Sequence, residues 1–101
     1  MITITDARMH LGIDVDDDLM INTNVQQALD AAEYLMRGAV GDDVRAMLPD
    51  DPRADRLVLI YLDDLYSERG VSAKVSGATR RLVNDLETQL RTELARVRGG
   101  A

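Results

Sequence analysis

Five aliphatic residues, Ile21, Val25, Ala28, Ala32 and Leu35, stand four, three, four and three positions apart. A second set, Val83, Leu86, Leu90, Leu94 and Val97, repeats at three, four, four and three. A helix turns once every 3.6 residues, so this spacing gathers each set on one helix side, whereas a half-buried strand would alternate. Two such segments commit a chain of 101 residues to helix-on-helix packing around one modest core. Composition agrees: with three Tyr and no Phe or Trp, the core must be built from Leu, Val, Ile, Met and Ala. Two prolines and seven glycines also leave few of the tight turns that an all-β fold requires.

The expected fold class is therefore all-α, a small helical bundle of about five helices, three of them long. One domain is predicted over residues 1–98, with 99–101 a frayed tail. Ile2 to Thr5 reads as a short β-prone lead, and Thr5 as the N-cap of a brief helix that carries Ala7, Arg8, His10 and Leu11 before Gly12 stops it. Three aspartates, Asp16 to Asp18, offer caps for a helix from about Asp17 to Arg37, whose first turns are weakened by Asn22, Thr23 and Asn24. Gly38 and Gly41 are read as breaks. Asp42 is expected to cap a one- or two-turn helix through Met47, which Pro49 ends.

Asp51 and Pro52 then form a cap and a first helical residue. The run Leu57-Val58-Leu59-Ile60-Tyr61-Leu62 would by itself suit a buried strand. Its proline start, its continuation through Asp63-Asp64-Leu65-Tyr66 and the C-cap offered by Gly70 decide for a helix. A helix apolar on nearly all sides belongs at the centre of the bundle. Val71 to Gly77 reads as a mobile loop of small residues, a contact loop that orders on binding, and Ser76 or Thr79 opens the last helix.

Charge is placed unevenly. Residues 1–51 carry eleven acidic against three basic side chains, a balance of −8, while residues 52–101 carry seven against nine, a balance of +2. An acidic front and mildly basic rear do not describe a general DNA binder, but they favour head-to-tail contact between copies. There is no cysteine, so disulfides and thiolate metal sites are excluded. No apolar run approaches the ~20 residues of a membrane span. Met1 to Ile4 lacks the basic start of a secretory leader, which predicts folding in a cytoplasm.

Each pattern that suggests chemistry lacks a required part. Asp14, Asp16 and Asp18 match the alternating start of a calcium loop, but Leu19 stands where glycine is needed and Val25 where a bidentate glutamate is needed. Tyr61-Leu62-Asp63-Asp64 resembles a polymerase metal motif but falls in a helical segment, with its aspartates expected on the exposed side of a helix end. His10 is the single histidine, read as a surface or interface residue. There is no glycine-rich phosphate loop and no nucleophile motif. The sequence thus predicts no catalytic residue, no metal ligand and no cofactor. The basic candidates Arg80, Arg81, Arg91 and Arg96 of the last helix are interleaved with Asp85, Glu87 and Glu93, which favours a salt-bridged face over a phosphate-binding one.

Three segments, in order, resemble one family. Ile4-Thr5-Asp6-Ala7-Arg8-Met9-His10-Leu11-Gly12-Ile13-Asp14 opens like it. The acidic turn Asp16 to Asp18 follows, with a helix carrying Ala31-Ala32-Glu33-Tyr34, and then Leu57 to Leu62 leads into Leu65-Tyr66-Ser67-Glu68-Arg69, an apolar helix ending in Tyr-x-x-Arg. Over residues 4–69 the chain resembles the head–tail connector (adaptor, or head-completion) proteins of tailed bacteriophages. Its long charged segment Thr79 to Arg98 departs from the short ending of many relatives. The resemblance implies a structural virion protein at the neck, assembled in the host cytoplasm, that forms a homo-oligomeric ring, dodecameric on the portal protein. Such a ring extends the channel for packaged double-stranded DNA without reading its sequence, and docks the next neck, stopper or tail protein. It requires two different complementary faces on each copy. Arg8, Tyr66 and Arg69 are the family-matched contact candidates. His10, Val71, Ser72, Lys74 and Ser76 join them as subunit or portal contacts. The alternative is a small helical DNA-binding or antitoxin-type regulator that dimerises through its C-terminal helix.

Overall fold

A computed structural model describes residues 1–12, 19–66 and 77–99. The described chain is helical throughout, with no strand, and runs α1 (Ile4–His10), α2 (Leu19–Val40), α3 (Val44–Met47), α4 (Pro52–Tyr66) and α5 (Gly77–Arg98). This is the all-α bundle of five helices, three long, that the apolar spacing predicts.

Several boundaries move for identifiable reasons. The first helix starts two residues earlier than expected, because Thr3 and not Thr5 is the N-cap. Thr3 Oγ1 accepts from the Asp6 backbone N–H at 3.1 Å, and Asp6 accepts in return from the Thr3 N–H at 3.2 Å. That reciprocal box satisfies two otherwise orphaned donors, and it draws the β-prone lead into the helix. Gly12, at φ +72°, ends the element as expected.

Gly38 does not break α2, which continues through Val40. The break comes at Gly41, at φ +150°. A side chain there would meet Arg98 and Leu94, each 2.7 Å from the added Cβ, so the tight approach of the end of α5 requires glycine as much as the backbone does. Asp43, not Asp42, sits before α3 and makes no capping bond, because its carboxylate is taken by Arg98. Asp51 caps α4 as predicted, its Oδ1 accepting from the Arg53 N–H at 2.9 Å.

The core lies along α4. Its Ala54, Leu57, Val58 and Leu62 are fully buried, between Val25, Leu29, Ala32 and Met36 of α2 and Leu90 and Leu94 of α5. α1 closes one side with Ala7, supported by Ile2, Ile4 and Leu11, and Val44 seals the α3 corner. Val83 and Leu86 extend the contact along the first half of α5. The molecule measures 47 × 29 × 17 Å between Cα extremes. In so thin a body each long helix keeps one broad side in solvent.

Candidate interaction surface

The polar groups fall into two sets, those that fasten helix to helix and those that face solvent unfastened. The principal fastener is Arg45 of α3. Its Nε and Nη2 donate to Glu33 of α2 at 2.8 and 2.7 Å, and its Nη1 donates to Asp55 of α4 at 2.9 Å. Glu33 is only 8 % exposed, and a planar fork meets its buried carboxylate with two bonds. A single guanidinium thus ties three helices.

Four further links join α5 to the rest. The Tyr61 hydroxyl donates to Glu87, and burial followed by that bond pushes the phenol's pKa well up. Arg91 donates to the Ala39 carbonyl at 3.0 Å. Arg53, held to Asp51 at 2.7 Å, also lies 3.8 Å from Glu93. Arg98 binds Asp43 through both oxygens, with Nε at 2.8 Å from Oδ2. The guanidinium beside each acid holds Asp43, Asp51 and Glu93 below the ordinary carboxylate range, with Arg98, Arg53 and Arg96 the respective causes.

The predicted contact residues now separate. Arg8 lies half-buried on α1, and exposed His10 bonds through Nε2 to Asp63 of α4 at 3.0 Å, which places it on an inter-helix contact of its own chain. Asp63 and Asp64 are exposed near the end of α4, as expected. Tyr66 is half-buried against the core. Arg69, Val71, Ser72, Lys74 and Ser76 lie outside the described residues, as do Asp14, Asp16 and Asp18. Arg91 and Arg96 are engaged within the chain, Arg91 3.9 Å from Glu87 and Arg96 on Glu93, which is the salt-bridged face the interleaved acids suggest. Arg80 and Arg81 are exposed and form no ion pair among the described residues.

An uncovered apolar surface lies on α2. Opposite its buried stripe, Gln27, Ala31, Tyr34 and Gly38 face solvent. Leu35, which the apolar spacing assigns to the core side, is exposed with them because it stands about 100° round the helix from the centre of the buried stripe. Tyr34 is 71 % and Leu35 46 % exposed. A Cβ added at Gly38 would meet nothing within 4 Å. The signal was present in the sequence: Ala31, Tyr34, Leu35 and Gly38 hold i, i+3, i+4, i+7 positions, shadowed by the stronger core stripe of the same helix. Asn22 adds a polar detail on the inner side, with its Oδ1 buried and without a hydrogen-bond partner among the described residues.

Between the start of α4 and the outer side of α5 runs an open trough of about 330 Å³, lined by Arg53, Thr88, Gln89, Thr92, Glu93 and Arg96. Arg96 is paired with Glu93 across the lining and Arg53 with Asp51 just outside it, so each charge of the trough already has a partner in the chain. Among the described residues no three His, Asp or Glu side chains gather as a metal site, and no helix is long and apolar enough to cross a membrane. No family model, curated protein or solved structure matches the chain.

Proposed function

We propose that the chain is a protein-binding structural subunit, a head–tail connector that assembles as a ring on a portal. The observation that supports it is the outer face of α2, where Ala31, Tyr34 and Leu35 stand uncovered while Arg45, Glu33, Asp55, Arg53 and Arg98 are consumed in tying helices together. An apolar strip on a charge-rich surface is what association uses. A ring also needs a second, different face. The exposed start of α5, with Leu82 between Arg81 and Val83 and with Arg80 beside it, offers one, basic where the front half of the chain is acidic. The all-helical fold accords with the resemblance over residues 4–69.

The regulator reading is weaker, because Arg91, Arg96 and Arg98 sit on carboxylates of their own chain and leave Arg80 and Arg81 to meet phosphate. Electron microscopy of the protein with its portal tests the proposal. A closed ring on the portal is expected, and a persistent monomer that ignores the portal overturns it.

A further inference from the structure

The outer face of α2 carries two charges as well as an apolar strip. Asp30 and Arg37 lie on the same flank of that strip, because seven residues bring a helix almost back to its starting angle. They are about 10 Å apart along the axis, too far to pair with each other. Among the described residues Asp30 accepts only a neutral bond, from Gln26 at 2.8 Å. Arg37 has no carboxylate within ion-pair distance among the described residues, since Glu33, one turn before it, is held by Arg45. A negative charge near the start and a positive charge near the end of one strip form a self-complementary pattern.

A two-fold axis set across the middle of the strip exploits all of it. Two α2 helices then run antiparallel, with Tyr34 against Tyr34 on one flank, Leu35 against Leu35 on the other and Ala31 against Gly38 between them. That axis keeps each flank facing its own equivalent, so Asp30 of one copy comes within a turn of Arg37 of the other, and the pair forms twice. Gly38 supports the same arrangement. A glycine within a helix costs up to about 1 kcal/mol relative to alanine, and no atom of the described residues requires its small size. The backbone of a second helix, approaching at the short distance that Ala31 and Gly38 permit, does require it.

We infer that α2 is the interface of an isologous dimer in which a second copy of this chain covers Ala31, Tyr34, Leu35 and Gly38, and in which Asp30 and Arg37 pair reciprocally between copies. About three turns of one helix from each copy, Gln27 to Gly38, fall well short of the ~800 Å² per partner of a standard interface, so the association is a weak one. The inference stands without the connector reading. Where that reading holds, the dimer is the stored form of the subunit, and docking on a portal opens it.

Sedimentation velocity of the full chain from about 1 to 300 μM, without a portal, gives the test, with circular dichroism of each variant confirming an unchanged helical signal. The wild type is expected to pass from monomer to dimer across this range. Asp30→Arg alone and Arg37→Asp alone should each weaken the dimer at least tenfold, by setting like charges together at two symmetric places. An equimolar mixture of the two variants should restore it, because every charged contact is then opposite. Gly38→Leu should abolish it. A monomer at every concentration overturns the inference and leaves the strip to a foreign partner. A dimer indifferent to Gly38→Leu, or a mixture that fails to restore association, overturns it as well.

Discussion

α2 and α5 are each 22 residues long and each sends one apolar stripe into the same core, yet their outward sides differ in kind. From Glu87 onward the outward charges of α5 are closed within the chain: Glu87 on Tyr61, Glu93 on Arg96 and Arg98 on Asp43. On α2 the outward side holds a bare tyrosine and leucine flanked by an acid and a base that do not meet. The far half of α5 is finished by its own chain, and the outer strip of α2 is not. Length, amphipathic pattern and burial do not distinguish the two; the destination of each outward charge does.

The largest test of this contrast strikes the fastener behind it. Arg45→Met leaves the buried Glu33 carboxylate without its cation and should cost about 3–5 kcal/mol in urea unfolding, whereas Arg37→Met on the outer side should leave the unfolding midpoint of the monomer nearly unchanged. Leu90→Ala, on the inward side of α5, should cost about 3 kcal/mol by thermal or chemical denaturation through the cavity it opens. Acid should expose the closed charges of α5. Asp43, Asp51 and Glu93 have folded pKa values below their unfolded ones, so their contribution is complete above the unfolded carboxylate value of about 4 and is lost as pH falls through the lower folded values. The urea midpoint should hold steady from about pH 7 to 5 and drop below about 4, and Arg98→Ala should make that drop shallower. Gly38→Ala should raise monomer stability by about 0.5–1 kcal/mol, because the site is open and the unfolded chain loses freedom. Arg80→Ala should change stability by less than about 0.5 kcal/mol.

The elements that depend on periodicity were legible from the residues alone. The 3-4 spacing of Val83 to Val97 places Leu90 and Leu94 in the core, and the apolar run at Leu57 to Leu62 makes α4 the helix all others touch. What the residues did not disclose was which of two neighbouring polar groups would win a partner. Thr3 displaced Thr5 as the first cap because Asp6 stands three residues after it and closes the box. Asp43 gave up capping because Arg98, distant in sequence, arrives beside it. Gly38 looked like a break because glycine is a poor helix former, but Met36 and Val40 on either side are buried and carry the helix past it. The outer strip of α2 was overlooked for the same reason its core stripe was found, since two apolar faces on one helix blur the contrast that periodicity relies on. The arginines that look available in sequence, Arg91, Arg96 and Arg98, are spoken for by long-range or one-turn partners that only the packed helices reveal.

The fasteners of α5 are unevenly spread along it. Tyr61, Ala39, Arg53 and Asp43 all hold it at or beyond Glu87, while the stretch before that point rests on Val83 and Leu86. Such a helix opens directionally. Amide hydrogen exchange should be faster at Leu82 to Asp85 than at Leu90 to Leu94, so that the half of α5 before Glu87 opens while its far end stays moored.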